Sequence, residues 1–466
     1  MRAYLFATLV ALAAMAPGAS FAQVGAEASS AGVEAQAPRP ATERRAVPDY
    51  DGRPDAGPSA EDVLIWIPRI LLGPVHLVLE YLVRAPLGAL FTAMEREEWH
   101  VLLADFFTWD ERHAGLVPTA FYDFGFAPSV GLYFFWNDVG APGHQLRVSG
   151  SFGGIDFLRA SVWDRVLLSR AGQVEWTTRV EASTRPDRVF QGLGALSRQE
   201  DRARFEHSFV EGLVRLDIHP WRGSRLGVQA GVGWQSYDPD GYAPVSDDPS
   251  LATAVQQGHI SGLPPGFGGY VAYRQRLELR LDTREVPPAP RHGIKIDALV
   301  EQGVDLTSVV DRRWIRYGGV ASAFVDAGNE RVFSLHVVAE LADPLGEADV
   351  PFLEQATLGG SMLRLPGFLQ NQLIGRSATV ATLRYTYPVW VYLDASLFVS
   401  AGNVFDAHFS DFDPERLRLA WGFGLASVGD RDHGFELTLA FGTTPFVLGA
   451  TVESVRLMVG GQAGVF

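Results

Sequence analysis

The chain has 466 residues and carries 39 basic against 54 acidic side chains, a formal charge of -15. This balance argues against a nucleic-acid partner, because binding to phosphate backbones depends on clustered positive charge. The sequence contains no cysteine, which excludes disulfides, thiolate catalysis and Cys-ligated metals. Its single lysine, Lys295, has no glycine-rich loop before it, so a Walker-type nucleotide site is excluded as well.

The first residues have the composition of a secretory signal peptide. Arg2 precedes the uncharged stretch from Ala3 to Ala22. The small residues Ser20 and Ala22 occupy the positions that signal peptidase recognises before its cleavage site. We therefore predict a signal peptide over residues 1–22. The remaining sequence has no apolar run of about 18 residues that could cross a membrane as a helix. Two classes stay open, an exported soluble protein and a membrane β-barrel.

Two segments separate this leader from the strands. Residues 23–58 are rich in Ala, Pro, Gly, Ser and charge and have almost no large apolar side chains, which predicts a flexible linker. Residues 59–114 have helical character, but Pro68, Pro74 and Pro86 divide them into short pieces. These helices either pack on the mouth of a barrel or lie in the membrane interface as amphipathic helices.

From residue 115 to Phe466 the hydrophobic pattern has a period of two, which indicates strands with one dry face and one wet face. Several strands run to about 9 to 11 residues, the length that a tilted strand needs to cross a bilayer. Aromatic residues cluster at strand ends, as in Leu132 to Trp136 and Tyr385 to Trp390. These features favour a membrane barrel over a soluble sandwich.

We predict an all-β membrane protein, an antiparallel transmembrane β-barrel over residues 115–466 with short N-terminal helices before it. Roughly 350 residues at about 22 per strand and connection give about 16 strands, an even number as in bacterial barrels. Residues Pro249 to Tyr273 are expected to form a surface loop. A hydrated, mutually paired interior is expected for the charged strand residues Glu175, Arg179, Glu181, Arg215, Asp217, Glu278, Arg280 and Asp282.

The last predicted strand, Val452 to Phe466, closes the barrel. The terminal Phe466 partly fits the signal that outer-membrane barrels present for insertion, although Gly464 stands where an apolar residue is usual. Gly460 and Gly461 weaken a strand, which indicates a seam that can open as a lateral gate. The alternative is that these glycines only permit tight curvature.

Two segments carry motifs beyond this general pattern. The first is a charged turn, Asp282-Thr283-Arg284, followed by prolines and Gly293 before a new strand. The second combines a loop and a strand motif, and its residues are Leu358-Gly359-Gly360, Arg364-Leu365-Pro366-Gly367-Phe368 and Phe398-Val399-Ser400-Ala401-Gly402-Asn403. In order and spacing, these motifs resemble the C-terminal barrel of the BamA/TamA superfamily of outer-membrane assembly and translocation proteins, also called the bacterial surface antigen family.

The resemblance implies that the loop Arg364 to Phe368 folds back inside the barrel. In the family, an arginine of this loop pairs with an aspartate of the strand motif, but here those positions are Pro366 and Ser400. A buried charge without its partner costs several kcal/mol, so a chain that lacks one member is more stable without the other. A compensating pair between Arg364 and Asp326 is an alternative. The family's POTRA modules are not visible between residues 23 and 114.

The resemblance implies a non-enzymatic barrel of the Gram-negative outer membrane that inserts, translocates or remodels proteins or lipids. Its expected partners are outer-membrane lipids and client outer-membrane proteins or lipids. We expect no cofactor and no metal site, since the usual motifs are missing and the 11 histidines are dispersed. A passive pore or structural barrel is the alternative function. A lipid hydrolase with a serine and a histidine from distant strands is a third hypothesis.

Overall fold

The computed structural model describes residues 106–460, apart from residues 112, 170–171, 222, 285–291, 328–330, 391–392 and 428–435. The predicted signal peptide, the linker and most of the helical segment lie outside the described residues, as do Gly461 and Phe466 of the predicted seam. The domain boundaries therefore stay predictions. None of the described helices is long and apolar enough to span a bilayer.

In the described part of the chain, sixteen strands form one closed wall in which each strand is antiparallel to its neighbours. Strands β1 to β8 are Ala114–Asp123, Ser129–Asn137, Gln145–Gly154, Phe157–Leu167, Val174–Phe190, Ala203–Ile218, Arg225–Asp238 and Tyr270–Asp282. Strands β9 to β16 are Gly293–Asp305, Arg313–Asp326, Val332–Pro344, Ser377–Trp390, Leu393–Phe405, Arg418–Ser427, Glu436–Thr443 and Val452–Gly460. Pairing of β16 with β1 closes the ring, which confirms the predicted barrel and strand number.

Shorter elements lie in the connections. A two-residue strand, Thr108–Trp109, pairs with Ala114 and Gly115. Between β11 and β12 lies a small hairpin, Ala356–Leu358 with Leu373–Gly375. The short 3-10 helices are Gln199–Asp201, Phe352–Glu354, Ala407–Phe409, Pro414–Arg416 and Phe446–Leu448. No POTRA module occurs among the residues that the structure describes.

The predicted loop from Pro249 to Tyr273 is wrong in two respects. It contains a helix, α1 (Leu251–Gln256), which begins because the Ser250 side chain accepts a hydrogen bond from the Thr253 backbone N–H at 3.2 Å. Its last four residues belong to β8, which starts at Tyr270. The short helix was missed because six residues are too few to give a clear helical period.

Side chains alternate along the wall between an apolar outer face and a polar lumen. In β8, Leu277 and Leu279 are 50% and 41% exposed, while Glu278 between them forms ion pairs with Arg215 and Arg225. The outer face therefore presents hydrocarbon, as a barrel in lipid requires. All eight charged residues expected to line a paired interior are in ion pairs, namely Arg165–Glu175, Arg179–Glu181, Arg215–Asp217, Arg215–Glu278, Arg280–Asp297 and Arg284–Asp282.

Aromatic side chains fill one mouth of the barrel. Phe205 of β6 contacts Phe267 and Phe352, with ring centroids 5.8 and 5.5 Å apart. Leu251 of α1 and Ile374 are buried in the same cluster. Because these residues come from the wall and from two long connections, the cluster ties the connections β7–β8 and β11–β12 together across this end.

Candidate functional site at the barrel seam

The connection between β11 and β12, residues 345–376, folds back into the barrel, and we call it the lumenal loop. The segment Arg364 to Phe368 lies at its tip, beyond the small hairpin. Leu365 and Phe368 are fully buried in a cluster that includes Val338 and Val380 of the wall. Leu365 has a φ of 56°, a left-handed conformation that is uncommon for leucine. The surrounding contacts therefore hold the tip in a conformation that the free chain disfavours.

Arg364 forms a bidentate ion pair with Glu340 of β11. Its Nη1 donates to Glu340 Oε2 at 2.9 Å and also to the Thr357 carbonyl at 3.1 Å, and its Nη2 donates to Glu340 Oε1. The alternative of a compensating pair between Arg364 and Asp326 is therefore not what the structure shows, since Arg364 pairs with Glu340. Glu340 lies opposite Gly318 of β10, whereas Asp326 is eight residues further along that strand, about 26 Å away at ~3.3 Å per residue.

The strand motif lies in β13. At the position where the resemblance to the family implies a charged residue, it has a serine whose hydroxyl pairs with another hydroxyl. Ser400 is buried, and its hydroxyl hydrogen-bonds that of Thr382 on β12 at 2.8 Å. Phe398 is buried on the same face, and an added Cβ at Gly402 would lie 2.3 Å from the Thr379 carbonyl oxygen. Asn403 donates to the Ala195 and Arg416 carbonyls at 3.0 and 2.6 Å. The motif thus packs the wall and fixes adjoining connections.

Gly367 and Phe368 seat the loop tip on the inner surface of β15. A Cβ at Gly367 would lie 2.4 Å from the Phe441 carbonyl oxygen, so the two backbones are in direct contact and only glycine fits. The Phe368 ring lies over Gly442, where an added Cβ would come within 2.8 Å of it. The Arg418 guanidinium of β14 lies over this ring, with its Cζ 5.6 Å from the ring centroid.

The seam between β1 and β16 is held by an ion pair inside the barrel. In the described residues the backbone pairing covers Asp123, Tyr122 and Phe121, which lie opposite Met458, Val459 and Gly460. Arg456 Nε and Nη2 donate to the two Asp123 carboxylate oxygens at 2.7 and 2.8 Å, and both side chains are buried. This geometry is bidentate, the strongest form of an arginine–carboxylate contact.

The loop tip contacts both sides of this seam. On the β16 side, the Ser454 hydroxyl donates to the Gly367 carbonyl at 2.8 Å, and Arg456 Nη1 donates to the Pro366 carbonyl at 3.4 Å. On the β1 side, the Leu369 side chain packs on the turn after β1, where an added Cβ at Gly125 would lie 3.2 Å away. Phe126 of this turn is buried in the same cluster as Leu369.

Sequence reasoning missed Asp123, Ser454 and Arg456. The alternation of the last strand was a usable signal, because an apolar Val455 on the lipid face places its two neighbours on the lumenal face. Arg456 is the one charged residue between Ser454 and Gly460, and a lumenal charge in a closing strand predicts a partner across the seam.

Glu354 anchors the opposite side of the lumenal loop. Its carboxylate accepts from the Tyr270 hydroxyl at 2.9 Å and from Arg274 at 2.5 Å, both on β8, and lies 3.7 Å from Arg316 of β10. Burial alone raises the pKa of the Glu354 carboxyl, but Arg274 and Arg316 lower it below its usual value. The loop is therefore fixed both to β8 and β10 and to the seam.

The side chains of the charged turn motif form their hydrogen bonds with one another and with the start of the next strand. Arg284 donates to both Asp282 oxygens at 2.7 Å, and its guanidinium lies 4.9 Å from the Phe324 ring. Thr283 exchanges hydrogen bonds with the backbone of Ile294 at 3.1 and 2.9 Å. The prolines after this turn lie outside the described residues. The motif closes the β8–β9 connection, and a functional role for it stays a prediction.

A histidine lies between two serines in the lumen. His336 is hydrogen-bonded to Ser322 and Ser334 at 2.8 and 2.9 Å and is 7% exposed. Among the described hydrogen bonds, His336 has no carboxylate partner to orient it as a general base. No group of three potential metal-ligating side chains occurs in the searched part of the chain.

The sequence of this region matches a known family. A profile of the Omp85 superfamily domain matches residues 268–428, which run from just before β8 past the end of β14 and include the lumenal loop and both motifs. The match covers less than half of the chain and places an Omp85 superfamily domain over these residues. It agrees with the resemblance to outer-membrane β-barrels of the BamA/TamA type that the motifs indicated. A comparison with curated protein sequences found no match.

Solved structures with a similar fold were also found. BamA from Haemophilus ducreyi lacking POTRA domains 1–3 is 14% identical with a TM-score of 0.53, over 75% of this chain and 70% of that one. CdiB from Acinetobacter baumannii is 10% identical with a TM-score of 0.46, over 74% of this chain and 59% of that one. CdiB from Escherichia coli is 13% identical with a TM-score of 0.44, over 74% of this chain and 62% of that one. The BamA match agrees with the barrel fold.

Proposed function

We propose that this Omp85 superfamily barrel inserts, translocates or remodels polypeptides or lipids in the Gram-negative outer membrane through its β1–β16 seam. The observation that carries the proposal is the contact of the lumenal loop with both sides of the seam, through Ser454 and Arg456 on β16 and through Gly125 after β1. A loop in this position can transmit a structural change in the lumen to the seam.

The loop inside the lumen favours this function over a passive pore. The aromatic cluster around Phe205 and Phe352 joins two long connections across one mouth, and the lumenal loop occupies the interior between Glu354 on one side and Gly367 on the other. A pore that conducts ions steadily requires a continuous aqueous path through the lumen. We infer that material passes laterally through the seam.

Conditional depletion of the protein in its host tests the proposal. We expect lower amounts of other outer-membrane proteins, or a disturbed surface lipid layer, measured by quantitative immunoblotting of outer membranes and by lipid analysis of the outer leaflet. A strain that carries a second, constitutive copy of the gene serves as the control and keeps both at normal levels. Unchanged outer-membrane proteins together with unchanged surface lipid would contradict the proposal.

A further inference from the structure

We infer that Arg456 is a positioning residue that couples the lumenal loop to the seam, so that β1 stays closed on β16 only while the loop tip is seated. The inference rests on the proposed function, because it describes how opening of that seam is controlled.

One guanidinium joins three elements of the barrel. Arg456 belongs to β16, donates to Asp123 of β1 through Nε and Nη2, and donates through Nη1 to the Pro366 carbonyl of the loop. The guanidinium is planar and its donors point in fixed directions, so its orientation toward one partner sets its alignment with the other. Movement of the Pro366 carbonyl therefore changes the geometry of the ion pair that holds the seam.

The tip is attached differently to the two sides of the seam. Toward β15 and β16 it makes polar and backbone contacts, where Ser454 donates to the Gly367 carbonyl and Gly367 lies against the Phe441 backbone. Its contact with the turn after β1 is apolar, between Leu369 and Gly125. When the seam opens, we expect the tip to stay with β16 and the contacts of Leu369 and Asp123 to break.

The buried ion pair keeps the seam closed at rest. Asp123 and Arg456 are both buried, and separating a buried pair without new partners is strongly unfavourable. The position of the loop tip determines whether Arg456 keeps the orientation that this closure needs.

Disulfide formation across the seam measures its closure directly. Tyr122 and Val459 lie opposite each other on β1 and β16, at a spacing that a cross-strand disulfide can bridge. The native chain has no cysteine, so Tyr122→Cys with Val459→Cys gives one defined pair. The purified barrel in lipid nanodiscs is oxidised briefly, and the crosslinked fraction is read on a gel. Heat-dependent mobility on the same gel verifies that each variant is folded.

The coupling is tested by changing the loop and the seam separately. We expect Arg456→Gln and Asp123→Asn to lower the crosslinked fraction severalfold. Gly367→Ala, which displaces the tip without touching Asp123, is expected to lower it as well, and Ser454→Ala to lower it by a smaller factor. Ser454→Ala removes only one hydrogen bond to the tip, so it keeps the test decisive if Gly367→Ala does not fold.

Two controls match these changes away from the seam. Asp297→Asn breaks the ion pair with Arg280 between β8 and β9, and Gly150→Ala adds a methyl group in β3 where an added Cβ contacts nothing within 4 Å. Both should leave the crosslinked fraction unchanged. A folded Gly367→Ala or Ser454→Ala variant with unchanged crosslinking would overturn the coupling. Since the assay contains no client, its outcome is independent of the depletion experiment that tests the proposed function.

Discussion

Asp123 of β1 and Arg456 of β16 are 333 residues apart in sequence and share two hydrogen bonds of 2.7 and 2.8 Å across the closing seam of the barrel. The same arginine donates to the carbonyl of Pro366 at the tip of the lumenal loop. The loop therefore contacts the point where the wall closes, in addition to filling the lumen. This relationship links the interior of the barrel to its lateral opening.

The pair Arg364–Glu340 is expected to fix the loop strongly. Arg364→Gln leaves the buried Glu340 carboxylate without its partner, which costs about 3 to 5 kcal/mol. Glu340→Gln leaves a half-buried Arg364 and should cost less. Changing both to glutamine should cost clearly less than the sum of the single changes. Urea titration of the barrel in detergent, followed by tryptophan fluorescence, measures the free energies of unfolding. Additive effects of Arg364 and Glu340 would show that the pair seen in the structure contributes no coupling.

Ser400 lies at the position where the resemblance to the family implies an aspartate. Its surroundings are buried and accommodate a hydroxyl group, which is hydrogen-bonded to Thr382. Ser400→Asp should destabilise the barrel by several kcal/mol, because a carboxylate there is buried beside Thr382 with no arginine at position 366 to pair with it. Ser400→Ala loses one hydrogen bond and should cost about 1 kcal/mol. The same urea titration compares the two variants. Equal stability of the aspartate and alanine variants would contradict the explanation that the loop arginine and the strand aspartate are absent together because either buried charge alone is unfavourable.

The lumenal loop should limit ion flow through the barrel. We expect the native protein to show small and infrequent conductance steps in planar bilayers. Replacing residues 359–370 by a short glycine turn removes the tip between the two hairpin strands, Ala356–Leu358 and Leu373–Gly375, and should raise the conductance several-fold. Large, stable conductance of the native protein would favour the passive pore and count against a lumen closed by the loop.

Much of the wall could be predicted from sequence, because lumen and lipid impose a strict alternation on every strand. Segments such as Leu277 to Leu281 show this alternation directly, and chain length then gives the strand number. The short helix α1 and the start of β8 at Tyr270 were missed because they lie in a glycine- and proline-rich stretch without periodicity. The resemblance to the family located the loop tip, which the periodicity of the sequence did not.

The contacts of the site could be predicted much less well, since they depend on closure and register. Arg364 pairs with Glu340 because the hairpin directs it to β11, and Asp326 lies at the far end of β10. Asp123 and Arg456 meet only when the first and last strands pair. The alternation of the last strand indicates Arg456 as a lumenal charge, but no local pattern contains information on the register across the seam. Its partner Asp123 therefore became visible only in the folded barrel.

The claim that the barrel works by opening its seam is tested most directly by locking that seam in cells. The variant with Tyr122→Cys and Val459→Cys replaces the depleted native protein, and outer-membrane protein levels are measured under oxidising and reducing conditions. A matched pair, Leu335→Cys with Leu383→Cys, locks β11 to β12, where the two leucines lie opposite each other and are 48% and 49% exposed. We predict that the oxidised seam pair lowers these levels, that reductant restores them, and that the matched pair supports normal levels in both conditions. Normal levels with a fully crosslinked seam would contradict the account.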